Sequence, residues 1–282
     1  DWVRCDYPDN KCPAKNASVT DIIVAEAPRA GFPARAGKTR SGEETPTDTY
    51  YIVPQTTSAQ YDFPITGGGG PVGVGAAEFL RDQSISFDDA SAFAAATGTD
   101  LPDGWPPIVR GHWDNSSADT EASLDYDILL GNVPRNAQMW YWGADEWMLL
   151  WASRVFHSSK IPDVLSISWG WNEMDQCGID GPVCAPGTTS EEYVRRANTE
   201  FMKLAARGLT LVASAGDAGA PGRTDEGCNN NPVLNPAFPA SSPWVVAVGS
   251  TQFETDPPLA NASATDAPWA IGGHVGEKNC DL

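Results

Sequence analysis

Three carboxylates stand where chemistry could be done. The segment DTEASLDYDILL sets Glu121 and Asp125 four residues apart, and LTLVASAGDAGAPG sets Asp217 on a glycine-flanked turn straight after an apolar run. Residues four apart share one face of a helix, so Glu121 and Asp125 can act as a pair. Asp217 stands where a strand of a parallel sheet would open into its loop, the edge at which the active sites of such sheets gather. Together they point to catalysis in acid. Taken singly, each has a plainer reading: an i,i+4 Glu/Asp pair is most often a solvated helix face, and Asp in a GDAG turn is most often a turn-former. Asp119 and Asp127 fall off the 121/125 face and are read as solvated or supporting.

Strands and helices must alternate to position such a set. FLRDQSISFDDASAFAAATG reads as a strand edge and a helix, and DTEASLDYDILLGN as a helix stopped by Gly131 and Asn132 with Pro134 beyond. AQMWYWG is a short apolar strand, DEWMLLWASRVFHSS an amphipathic helix and DVLSISWG a buried strand. TSEEYVRRANTEFMKLAARG is a helix with Thr189 or Ser190 as N-cap and Gly208 as its stop, followed by the strands LTLVASAG and WVVAVGST. This alternation of near-continuous apolar strands with helices predicts an α/β fold with a mostly parallel central sheet covered on both faces. Upstream, residues 1–45 read as an extended lead-in with a possible strand at SVTDIIVAEA, and YYIVPQTTSAQYDFP as extended. The glycine run in ITGGGGPVGVGAAEF lacks the Lys-Ser/Thr of a phosphate loop and reads as a turn leading into a strand.

Composition narrows the function classes. With 37 acidic against 18 basic residues, the 282-residue chain carries a formal charge of −19 and a pI near 4.3, which argues against nucleic acid and anionic membranes as partners. Hydrophobic content of 41% suits a globular core. No apolar run is long enough to span a membrane, and the opening DWVRCDYPDN has no leader pattern, which reads as a leader already removed. Sequons at Asn16, Asn115 and Asn261 lean towards secretion. So do the cysteines: Cys5 with Cys12, and Cys177 with Cys184, bracket short turn-rich loops suited to local disulfides, while Cys228 and Cys280 pair with each other or with something outside the chain.

The motifs ASLD, SISWG, AARG followed by LTLVASAGDAGA, and FPASSPWVVAVGST occur in the order seen in sedolisins, the serine-carboxyl peptidases with a subtilisin-like fold. The resemblance covers roughly residues 50–270, so residues 46–282 read as the N-terminal portion of such a catalytic domain. It implies that Glu121 is the general base of a Ser-Glu-Asp triad, that Asp125 orients and polarises it, and that Asp217 serves the oxyanion hole. SISWG would wall the substrate cleft: Ser168 and Gly170 pair by their backbones to an extended peptide, and Trp169 lies beside the Glu–Asp pair. The physics fits these roles. A carboxylate base can still be ionised at pH 4, where an imidazole is fully protonated. A protonated Asp217 can donate to a developing oxyanion, and the crowded Glu121 and Asp125 are expected to share one proton. The expectation is an acid peptidase, cutting internally or removing tripeptides, with activity collapsing towards neutral pH in a secreted or lysosomal setting. Trp140, Trp142 and Trp147 read as core packing ahead of subsite walls.

Two departures matter. The family nucleophile is a serine in a GTS-type turn well downstream of FPASSP, and no such segment occurs: Gly249-Ser250-Thr251 ends a strand, and Gly187-Thr188-Thr189 precedes a helix. The family's calcium site belongs to the same absent part. The expectation is therefore a two-chain enzyme in which a companion chain, held by packing and through Cys228 or Cys280, carries the serine and the calcium. The alternative is an inactive remnant that binds peptides. Ala218 stands where the family usually has serine beside the oxyanion aspartate. Eleven tryptophans and paired carboxylates would also suit a secreted carbohydrate-binding protein or glycosidase, but neither explains the ordered motifs.

Overall fold

A computed structural model describes residues 53–61, 71–79, 84–114, 118–179, 183–219, 222–223, 234–249, 252–253 and 264–265. The lead-in segment, the three sequon asparagines, Cys5, Cys12, Cys228, Cys280 and the glycine run lie outside the described residues. In chain order the elements begin α1 (Pro54–Tyr61), β1 (Gly73–Phe79), α2 (Phe87–Thr97), β2 (Gly104–Gly111), α3 (Thr120–Asn132), β3 (Gln138–Ala144), α4 (Met148–His157) and β4 (Val164–Ile167). They continue with β5 (Trp171–Asn172), a 3-10 turn (Glu173–Gly178), α5 (Ser190–Ala206), β6 (Thr210–Ser214), β7 (Ala237–Phe238), β8 (Val245–Val248), β9 (Gln252–Phe253) and β10 (Ala264–Thr265).

Six strands form one parallel sheet in the order β2-β3-β1-β4-β6-β8, the α/β architecture expected. Its helices divide between the two faces because β1 alternates. Ala77 and Phe79 point into the core with Met148, Trp151 and Val155 of α4 and Tyr193, Phe201 and Leu204 of α5. Ala76 points the other way, into a core with Ala90 of α2 and Ala122, Tyr126 and Leu130 of α3. Trp140 and Trp142 are 4% and 5% exposed, as core packing requires. The fully buried Phe201 stacks on Phe238 of β7, and truncating such a ring to alanine costs about 3–5 kcal/mol.

Helix ends follow local chemistry. Thr189 caps α5 in a capping box with Glu192, and Gly208 takes φ 90° just beyond its end. Asp119 caps α3, its carboxylate accepting from the Glu121 N–H at 3.1 Å. Two elements depart from expectation. The stretch expected to be extended folds over its middle as α1: Pro54 suits a first helical turn, the Gln55 amide donates to the Thr97 carbonyl, and the Thr57 hydroxyl donates to Asn132 Oδ1 at 2.6 Å. These docking bonds, rather than an apolar period, hold it. β2 was not anticipated because GWPPIVRG carries two prolines, which a sheet tolerates at an edge, and β2 is an edge strand.

Candidate active site

The order β3-β1-β4 places a switch point beside β1, since the chain leaves β1 for strands on one side and later adds strands on the other. Side chains at the carboxyl ends of such strands face a crevice. Tyr126 of α3 sets the height of that helix over the sheet: its buried hydroxyl accepts from the Ala76 N–H at 3.3 Å and donates to the Trp140 carbonyl. Asp125, one residue earlier, then meets Glu78, which shares the α3 side of β1 with Ala76 because strand side chains alternate.

Glu78 is fully buried. Its Oε2 accepts from Trp169 Nε1 at 3.0 Å, and Asp125 Oδ1 accepts from the Ser168 hydroxyl at 2.7 Å. The other two oxygens, Glu78 Oε1 and Asp125 Oδ2, are buried acceptors with no donor among the described residues. One proton held between the carboxyls supplies what both lack. Burial and the Asp125 charge hold Glu78 well above the usual carboxylate range, against the pull of the Trp169 N–H. Burial pushes Asp125 up to about 6, while hydrogen bonds from Ser168 and Glu78 draw it back. Both shifts run in the direction of a proton held between the two carboxyls. It was expected between Glu121 and Asp125; the bonded partner of Asp125 is Glu78 instead.

Glu121 sits in the first turn of α3, where a helix N-terminus favours a carboxylate. Burial outweighs that: with repulsion from Asp125 and Asp217 it pushes Glu121 up to about 7. Asp217 follows β6, swung out by Gly216 at φ 93°, where an added Cβ would stand 2.9 Å from that of Ala237. Glu121 and Asp217 line one cleft, which Ser168, Trp169 and Gly170 also line. Asp217 is exposed and pairs with Arg223, Nη2 to Oδ2 at 3.1 Å. The Ala218 that follows is buried.

Glu78, the Ser168 hydroxyl and Arg223 escaped the sequence reading. For Glu78 the signal was present, a lone acid in the apolar strand GVGAAEF. Asp127 differs too: it is 4% exposed rather than solvated, and burial, then Asp89, push it up to about 8. The short loop disulfide Cys177–Cys184 is formed as expected. Among the described residues no three His, Cys, Asp or Glu side chains are grouped to hold a metal, and none is assigned to the implied calcium.

The chain resembles proteins already characterised. Physarolisin of Physarum polycephalum is 37% identical over 219 residues, which are 77% of this chain and 36% of that protein. Tripeptidyl-peptidase 1 of Canis lupus familiaris is 35% identical over 187 residues, 63% of this chain and 30% of that protein. The chain thus spans about a third of the length of these curated relatives. A Pseudomonas sedolisin (serine-carboxyl proteinase) complexed with two molecules of pseudo-iodotyrostatin has a TM-score of 0.49 at 21% identity, over 72% of this chain and 54% of that one. No family model matches the chain.

Proposed function

Because the chain belongs to the sedolisin family, the serine-carboxyl peptidases, we propose that it supplies the carboxyl half of a peptidase centre working in acid. The observation that carries this reading is Glu121 and Asp217 lining one cleft, with Glu121 backed by the buried pair Asp125 and Glu78. In the proposal a serine on a companion segment attacks the peptide carbonyl and passes its proton to Glu121. Asp125, held by Ser168 and Glu78, orients Glu121. The tetrahedral oxyanion accepts a hydrogen bond from protonated Asp217. Glu121 then returns the proton to the departing amine, and water releases the acyl group by the same route.

In the cleft as it stands, Glu121 keeps its proton up to about pH 7. A serine hydroxyl donating to it favours the ionised form and draws that value into the acid range. The companion segment thus supplies both the nucleophile and the adjustment of its base. Support for such a segment comes from the sheet edge. β8 ends the described sheet, and its Val246 and Val248 are 53% and 49% exposed, an apolar strip suited to cover by further polypeptide. The calcium implied by the resemblance belongs, in this proposal, to that segment. The Cys177–Cys184 bond suits an oxidising setting, and a secreted or lysosomal site is proposed accordingly. No helix among the described residues is long and apolar enough to cross a membrane.

The test is peptide hydrolysis at pH 4–6 by the full protein and by its Glu121→Gln variant, with masses recorded reduced and non-reduced. Loss of a general base lowers the rate by about 10²–10⁴-fold, with unfolding behaviour retained. Cleavage that survives the substitution, or persists undiminished at pH 7.5, would defeat the assignment. A companion chain appears as a mass lost on reduction or on denaturation.

A further inference from the structure

The cleft holds one cation among its described lining residues, and it is fixed in place. Arg223 follows Gly222, which takes φ 79° and admits no side chain: an added Cβ would stand 2.4 Å from the Asn235 carbonyl oxygen and 2.5 Å from Asn172 Oδ1. The Arg223 N–H donates to that same Asn172 Oδ1 at 2.8 Å. Asn172 is 1% exposed and is held in turn, its amide donating to Asp175 Oδ2 at 3.2 Å; Asn235 donates to the same oxygen at 3.1 Å. The guanidinium lies over the Trp171 ring, 5.4 Å from its centroid, and bonds Asp217. A buried amide network thus points one arginine into an otherwise acidic cleft.

We propose that Arg223 selects the substrate side chain bound in this part of the cleft, and that the side chain it selects is a carboxylate, glutamate or aspartate. This rests on the reading of the cleft as a peptide-cleaving site. A guanidinium keeps its charge at every working pH and matches a carboxylate with two parallel N–H donors. Among the described residues its hydrogen-bond partner is Asp217. That bond occupies Nη2, and the planar guanidinium carries further N–H donors for another carboxylate. The space in the cleft, about 150 Å³, takes a side chain rather than a whole ligand.

The test compares peptides identical except for Glu, Gln or Lys at one position, scanned on both sides of the scissile bond. It uses the full protein at pH 5, above the usual glutamate pKa of about 4.3. Both kcat/KM and binding, followed by tryptophan fluorescence, are read. At one position Glu is preferred over Gln by about tenfold, the size of one charge-assisted hydrogen bond. Arg223→Gln brings that ratio to about one, Arg223→Lys keeps part of it, and Arg223→Glu turns the preference to Lys. A ratio near one at every position in the unaltered protein, or a ratio that Arg223→Gln leaves in place, overturns the proposal. If a variant misfolds, Arg223→Lys and the unaltered protein still decide it. If no peptide is cut while Glu peptides outbind Gln peptides, the peptidase reading falls and the selectivity of Arg223 stands.

Discussion

Asp127 offers the cleanest residue-scale test, because it is buried like Glu78 but does no proposed chemistry. One of its oxygens has no hydrogen-bond partner among the described residues, and its pKa is pushed from 3.8 up to about 8. The sign follows from where the proton sits. Below about pH 4 folded and unfolded chains both hold it, and its contribution to stability is intact. As pH rises through about 8 the unfolded chain ionises freely while the folded chain is penalised, so stability is lost, by several kcal/mol at most. Asp127→Asn should therefore match the unaltered protein in thermal unfolding at pH 4 and surpass it at pH 8. A difference in Tm that stays constant across that range would defeat the argument. The same direction holds for Glu78, Glu121 and Asp125, where chemistry supplies a reason to keep the strain.

Elements differ in how far they answer to their own sequence. The α5 cap is local: Thr189 accepts from the Glu192 N–H at 3.2 Å, and the Glu192 carboxylate accepts from the Thr189 N–H at 3.0 Å. Thr189→Ala should cost about 1 kcal/mol in denaturant unfolding and leave peptide hydrolysis unmoved; a rate change would show α5 coupled to the cleft. Its start and its stop were legible because capping chemistry is written within a few residues. So were β3, β4, β6 and β8, whose apolar runs mark them as strands. α1 was not, since its bonds run to Thr97 and Asn132, distant in sequence. Glu121, Asp125 and Asp217 were legible as carboxylates at telling positions. Glu78 became a partner of Asp125 only once the strand order brought α3 over β1. Arg223 depends on a backbone turn around Gly222 that no periodicity announces.

At the scale of the whole molecule, the described sheet is guarded at one end and bare at the other. β2 is an edge roughened by Pro106 and Pro107, whereas β8 presents Val246, Val248 and the neighbouring Trp244 to solvent. If a companion segment covers β8, a double change of Val246 and Val248 to Lys should weaken that association at least tenfold, since a desolvated lysine is far costlier than an exposed one. Native mass measurement reads the outcome. Association that survives both changes would place the companion elsewhere.

The buried proton between Glu78 and Asp125 also makes this chain a participant in the acid–base balance of its surroundings. Glu78, Glu121, Asp125, Asp127 and Glu146 all hold protons more tightly than ordinary carboxyls. At weakly acid pH the unfolded chain would release them. Folding there is consequently a proton-consuming reaction, and its measured heat shifts with the ionisation enthalpy of the buffer. Acid acts as a ligand of the native state, bound in part by Glu121 and Asp125 of the proposed centre.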